Sequence, residues 1–315
     1  MDYIDLFGVD LRSSEADIVH QFREQMGTLG FLCIYNVDGF DEQTMLTAVQ
    51  KFHGISESEK KKLFCANHNS QNSNIYRGLS PFIDNDESHK EIFDMGLPLT
   101  EISESERKYL LYEETPFPVD CGYELRSFYT KQFKQRLDLG VKLASYIALA
   151  LGLDRTYFDM FFKDSLSTFR TIYYTPRWDS PVKQNMLSET SMALTTPGHT
   201  DSGFITILST LGFEGLQVLH EGRYRSVRGK KNYFIVNFGD MLAKITNNRV
   251  KATMHRVIDI GVERFSHPFF LETHYSAKIP TNILLNHPNE YIVYGDYLVG
   301  KMTSKYSEWK NFKLA

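Results

Sequence analysis

His199, Thr200 and Asp201 set an imidazole and a carboxylate two positions apart. In extended chain, residues i and i+2 project to the same side, so one short strand end can present both to a single point. A second imidazole, His255, lies much further on, in a β-branched run where a facing strand can deliver it. Two imidazoles and one carboxylate on one face leave iron with open positions, the arrangement of non-haem Fe(II) enzymes in which a bidentate cosubstrate and O₂ bind together. The same donors suit zinc, but the chain has no HExxH helix and no recognisable general base beside these residues. The HxD pattern alone decides little. The chain has 10 histidines and 39 acidic residues, and His89-Lys90-Glu91 is a further match of the HxE type. On the motif alone, a ligand pair and an ordinary surface or core role both remain open.

The elements that would position these residues divide by composition near residue 160. Before it, Ser14 and Asp17 form a capping-box start for a helix running toward Gly30. Phe31 to Val37 reads as a buried strand, and a second helix follows Asp41 and ends near Gly54. Asn67 to Asn74 is polar and Asn/Ser-rich, hence a loop. A long helix is expected from about Tyr123 to Leu151, with apolar residues Leu137, Val141, Leu143 and Ile147 at helical spacing. "SESEKKK", with Lys60, Lys61 and Lys62 among acids, reads as a solvated helix face. After about Ser167 the runs are short and β-rich: "FRTIYYT", "FITILST", "GLQVLHE", "RYRSVR", "NYFIVNF", "VKATMHRVIDI" and "PFFLETHYSA". Their spacing predicts a sandwich, jelly roll or barrel, and nothing alternates as βαβ units would. No GxGxxG or GxxxxGK[ST] is present, so nucleotide-binding folds lack support. The expected division is 1–160, helical and mixed, and 161–315, the β core, packed as one unit.

Five ordered blocks carry a resemblance: "GHTDSGFITILST", "EGLQV", "NFGDML", "TNNRVKATMHRV" and "ERFSHPFF". Together they resemble the isopenicillin N synthase-like branch of the Fe(II)/2-oxoglutarate dioxygenases, and "FREQMGTLGFLCIYN", "YRGLSP" and "HKEIFDMGLP" extend the likeness upstream. The resemblance implies a double-stranded β-helix, or jelly roll, with helices packed around it. It implies His199, Asp201 and His255 as the iron ligands. Arg264 and Ser266 of "ERFS" match the family's Arg-x-Ser pair for the far carboxylate of 2-oxoglutarate; a guanidinium is a planar fork suited to that task. Tyr174 matches a tyrosine that hydrogen-bonds 2-oxoglutarate, although Ile172 and Thr175 depart from the family pattern beside it. Asn237, Gly239 and Asp240 read structurally: Gly239-Asp240 is a turn signal, with the Asp satisfying backbone donors. His220, His267, His274 and His287 have no family-matched role.

The implied reaction couples oxidative decarboxylation of 2-oxoglutarate by O₂, giving succinate and CO₂, to hydroxylation, desaturation or ring closure of a small organic substrate. Because Asp201 keeps the carboxylate, halogenation is not expected. Tyr76, Arg77, Phe82, Arg170 and Arg177 are the substrate-side candidates. Arg77, beside an Asn/Ser-rich loop that could close as a lid, suggests a carboxylate-bearing metabolite. Isopenicillin N synthase and aminocyclopropanecarboxylate oxidase keep the triad and the Arg-x-Ser pair without consuming 2-oxoglutarate, so that alternative stays open. A metal-binding jelly roll without turnover is a further one. Net charge is −4, with no like-charge run suited to nucleic acid. The three cysteines form no disulfide framework. No secretory signal or membrane span is expected, which predicts a cytoplasmic protein.

Overall fold

The computed structural model describes residues 2–83, 89–119, 122–175, 193–285 and 289–305. Their strands are β1 (Tyr3–Ile4), β2 (Gly8–Asp10), β3 (Phe31–Tyr35), β4 (Gly78–Ser80), β5 (Lys90–Met95), β6 (Thr168–Tyr174), β7 (Leu194–His199), β8 (Ile205–Ser209), β9 (Leu216–His220), β10 (Arg223–Val227), β11 (Tyr233–Phe238), β12 (His255–Ile258), β13 (Arg264–Leu271), β14 (Lys278–Pro280) and β15 (Tyr291–Val293). The helices are α1 (Glu15–Gln25), α2 (Glu42–His53), α3 (Glu57–Leu63), α4 (Glu104–Arg107), α5 (Gly122–Ala150), α6 (Asp159–Phe162), α7 (Asp240–Ile245) and α8 (Tyr294–Lys305).

An eight-stranded sheet, β2-β3-β11-β8-β13-β6-β5-β4, faces a five-stranded one, β1-β10-β9-β12-β7. From β6 to β13 the chain passes repeatedly between the two, and in that stretch only β9 and β10 are consecutive in one sheet. That alternation is the jelly-roll winding. Strands from residues 8–95 flank both edges of the large sheet, so the helical region and the β core share one sheet. Local chemistry starts the helices as expected. Ser14 Oγ accepts from Asp17 N at the head of α1, and Asp41 accepts from Gln43 N and Thr44 N at the head of α2. Helix α5 lies on the outer face of the large sheet, where Phe133 meets Phe269 edge-on and Gly140 passes against Leu271. A smaller apolar cluster, Phe31, Leu216, Val218, Val227 and Ile235, fills the space between the sheets.

Two strands depart from the sequence expectation. β13 starts at Arg264 and runs through Pro268 rather than starting there. Its ladder to β6 pairs Ser266 with Ile172 and Phe269 with Phe169 but skips Pro268, whose nitrogen has no hydrogen to donate. β12 is confined to His255–Ile258. Upstream, Lys251 N donates to Met26 O and Thr253 Oγ1 to Leu29 O, so that stretch is tied to the turn after α1 instead of a ladder. Gly30 in that turn has φ +70°, and a Cβ there would lie 2.1 Å from Lys251 O; only glycine fits.

Lys60 also corrects the reading of a solvated lysine face. It is buried on α3, with Nζ 3.0 Å from Glu91 Oε2 on β5. Glu91 Oε1 lies 2.6 Å from His53 Nδ1, and His53 Nε2 lies 3.1 Å from Thr171 Oγ1. Burial, only partly offset by Glu91, holds the His53 ring below its usual pKa. Glu91, in the second acid-histidine match, is therefore a structural carboxylate remote from the metal cluster. Removing one partner of a buried pair strands the other charge. Glu91→Leu is expected to lower the unfolding free energy by about 3–5 kcal/mol, and Lys60→Met/Glu91→Leu to recover most of it, as read by urea denaturation.

Candidate metal centre

β7 and β12 are adjacent and antiparallel, with His199 directly opposite His255. The β7–β8 loop then brings Asp201 beneath both rings. One donor atom from each of His199, Asp201 and His255 lies within 4.8 Å of the other two. Asp201 Oδ1 is 3.6 Å from His199 Nε2 and 3.7 Å from His255 Nε2. The opposite ring nitrogens are occupied: Nδ1 of His199 lies 2.9 Å from Pro197 O, and Nδ1 of His255 lies 3.1 Å from Thr253 O. Each ring thereby turns Nε2 toward the centre, and with the ring proton on Nδ1 that nitrogen would offer its lone pair, the state a metal requires. Phe31 packs edge-on against His255, while the His199 side of the cluster is more open.

The carboxylate is oriented in the same way. Asp201 Oδ2 accepts from Thr206 Oγ1 at 2.5 Å and from Asn237 Nδ2 at 2.8 Å, leaving Oδ1 for the centre. Burial opposes ionisation of Asp201, but His255, His199 and the Asn237 amide outweigh it and hold the carboxyl well below its ordinary range. The backbone is pinned too: Asp240 N donates to Asp201 O at 2.7 Å, and a Cβ on Gly239 would lie 2.2 Å from Gly203 O. Sequence reading missed Asn237 and Thr206. The available signal was an amide in the apolar run "YFIVNF", since a buried amide requires a partner. Two imidazole nitrogens and an anionic oxygen, each fixed from behind, fit an octahedral Fe(II) with open positions.

Arg264 opens β13 on the same internal side. Its guanidinium carbon lies 3.6 Å from the Tyr174 ring centroid, and Nη2 donates to Ile258 O at 3.3 Å. It is buried, and no carboxylate among the described residues pairs with it. Ser266 is also buried and shares the Arg264 face by strand alternation.

The substrate-side candidates fare differently. Arg77 is 2 % exposed and is not on a lid. Its Nη1 donates to Thr168 Oγ1 and Met95 O, and its Nη2 to Leu166 O and Ser167 O. Those four bonds consume the fork, so Arg77 ties β5 to the start of β6 and offers nothing to a substrate anion. Tyr76 is buried under that guanidinium, with its hydroxyl bonded to Thr168 and Glu272. Phe82 packs on Tyr173, on the face of β6 opposite Tyr174. Arg170 differs from the other described candidates. It shares the Tyr174 face, is partly exposed, packs on Phe270 and holds Asp94 through two bonds of 2.7 and 2.8 Å. Arg177 lies outside the described residues.

Second-sphere bonds to metal ligands typically carry a 10–100-fold effect on affinity. Asn237→Ala is expected to weaken Fe(II) or Co(II) binding by about that factor with the melting profile retained, measured by anaerobic titration of metal-free protein. Unchanged affinity would remove Asn237 from the site.

Residues 166–273 match the family model described as the 2OG-Fe(II) oxygenase superfamily. Isopenicillin N synthase of Streptomyces clavuligerus is 29% identical over 321 residues, covering 95% of this chain and 92% of that protein. A 2-oxoglutarate-Fe(II) type oxidoreductase of Aspergillus fumigatus is 27% identical, covering 86% and 80%. Among solved structures, a full-length Neurospora crassa protein in complex with alpha-KG and thymine superposes with a TM-score of 0.79 at 21% identity, covering 97% of this chain and 100% of that one. An oxygenase-family protein from Caulobacter crescentus gives 0.77 at 22%, covering 96% and 99%. The fold, the His-Asp-His cluster and these likenesses agree: over residues 166–273, its β core, the chain resembles the 2OG-Fe(II) oxygenase superfamily.

Proposed function

We propose that this chain oxidises a small organic molecule with 2-oxoglutarate and O₂ at a mononuclear Fe(II) held by His199, Asp201 and His255. The observation that carries the reading is the buried, carboxylate-free Arg264 on the same interior as the ligand cluster. The carbonyl that receives its Nη2 belongs to Ile258, three residues along β12 from His255, about 10 Å at ~3.3 Å per residue. A short dicarboxylate fits such a gap, with its oxo-acid end at the metal and its far carboxylate on Arg264 and Ser266. Tyr174 stacks beneath the guanidinium and fixes its plane. Iron, when bound, supplies O₂ activation. The chain supplies orientation and exclusion of water. One oxygen atom of O₂ goes to succinate as CO₂ leaves; the other enters the substrate on hydroxylation, or leaves as water with the two hydrogens removed on desaturation or ring closure. Asp201 occupies the position that a halide would need, which disfavours halogenation.

The substrate enters past Arg170. That guanidinium is already neutralised by Asp94, so the wall offers a donor and an acceptor side by side rather than a bare cation. A polar neutral or zwitterionic metabolite suits it better than a free anion, and the carboxylate argument that rested on Arg77 falls with Arg77. A second reading has one specific support. The isopenicillin N synthase likeness spans almost the whole chain, so an oxidase that leaves 2-oxoglutarate unused is the alternative. We place the protein in a reducing intracellular compartment, with no nucleic-acid partner. Cys33 and Cys65 are free and buried, and no described helix is long and apolar enough to cross a membrane.

Screening small metabolites for stimulated succinate release tests the first reading; substrate oxidation without succinate would establish the second. Loss of a charge-assisted carboxylate clamp costs about 2–5 kcal/mol. Arg264→Leu is therefore expected to raise the 2-oxoglutarate concentration for half-maximal turnover by roughly 30-fold or more while the substrate requirement changes little. An unchanged 2-oxoglutarate requirement would move the anchor elsewhere.

A further inference from the structure

Between α5 and the outer face of the large sheet, three polar side chains converge on Phe169. The Arg136 guanidinium carbon lies 4.4 Å from the centre of that ring, and the Tyr129 and His267 rings stand 6.1 and 6.2 Å from it. All three side chains are essentially sealed from solvent. Arg136 spends Nη1 on Gln132, donating to its backbone and side-chain oxygens at 3.2 and 2.7 Å. Its Nε and Nη2, the Tyr129 hydroxyl and both ring nitrogens of His267 have no hydrogen-bond partner among the described residues.

That set is anomalous twice over. Buried polar atoms are almost always bonded, and here five cluster without a partner. The set is also one-sided in charge. No carboxylate pairs with Arg136 among the described residues. Burial pushes the guanidinium down to about 9, which still leaves it cationic at neutral pH. Burial, with Arg136 nearby, keeps His267 uncharged. The faces of Phe169, Phe40 and Phe234 offset part of the cost of the buried charge. They satisfy none of the free N–H groups. The unmet valences are mainly donors around a cation, which a water molecule would satisfy in number but not in charge.

We propose that this layer is an internal site for a small monovalent anion of the halide class, bound by Arg136 Nε and Nη2 and closed by the Tyr129 hydroxyl and the His267 ring. The site lies on the outer face of β6 and β13, opposite the face that bears Tyr174, Arg264 and Ser266. The anion would thus be a structural ligand of the α5–sheet interface, bound without turnover.

The test uses the full chain, prepared throughout in chloride, in bromide or in gluconate at equal ionic strength. Melting temperature is expected to be higher in either halide by on the order of 2 °C and to saturate with concentration. Crystals grown in bromide are expected to show an anomalous peak beside Arg136. Arg136→Met should abolish the salt-specific shift while iron binding persists. If that variant does not fold, Tyr129→Phe together with the bromide crystal decides the matter. Equal melting in all three salts, or water density without an anomalous peak beside Arg136, overturns the proposal.

Discussion

A carboxylate held between two sheets is the constraint around which the rest of this molecule is arranged. Asp201 is largely shielded from solvent, and an isolated carboxylate so shielded would cost several kcal/mol or would simply take up a proton. It does neither because four side chains reach it from four strands or their ends. Thr206 on β8 and Asn237 on β11 belong to the large sheet; His199 on β7 and His255 on β12 belong to the small one. The jelly-roll winding exists, in functional terms, to bring those elements to one point. Gly239 and Gly30 are small because the loops there pass backbone against backbone.

Four arginines show how partners, rather than residue type, set a role. Arg77 is satisfied by main-chain carbonyls and a threonine, so it is a strut. Arg170 is held by Asp94 with two parallel bonds, so it presents a neutralised polar edge. Arg264 rests on an aromatic face with one weak carbonyl contact among the described residues, so most of its fork stays open, as the proposed cosubstrate role requires. Arg136 is caged by aromatics on the helix side and has donors to spare. A guanidinium cannot shed its charge at neutral pH, so whatever does not bond it in the protein must be supplied from outside.

Alternation along β6 and β13 keeps these tasks apart. Thr168, Arg170, Ile172 and Tyr174 face the interior, while Phe169, Thr171 and Tyr173 face the helices. The same two strands thus line the proposed oxygenase site on one side and the α5 interface on the other. A substitution on either face acts on one function with little direct contact with the other.

The ligand spacing, the helix starts at Ser14 and Asp41, the long α5 and the β-rich second half were all legible in the sequence, because each rests on local periodicity, capping or a short motif. The ordered blocks around His199, His255 and Arg264 carried the family likeness for the same reason. What the chain could not disclose by itself was partnership across distance. Arg77 beside a polar loop looks like a lid residue until Thr168 and three carbonyls from remote segments are seen to enclose it. Lys60 looks solvated until Glu91 arrives from β5. Asn237 looks merely structural until Asp201 comes within 2.8 Å. Pro268 looks like a strand boundary until the ladder to β6 is seen to skip it. In each case side chains far apart in sequence meet only through the winding of the sheets, and burial then makes the meeting decisive: a polar group without solvent must take whatever partner the fold delivers.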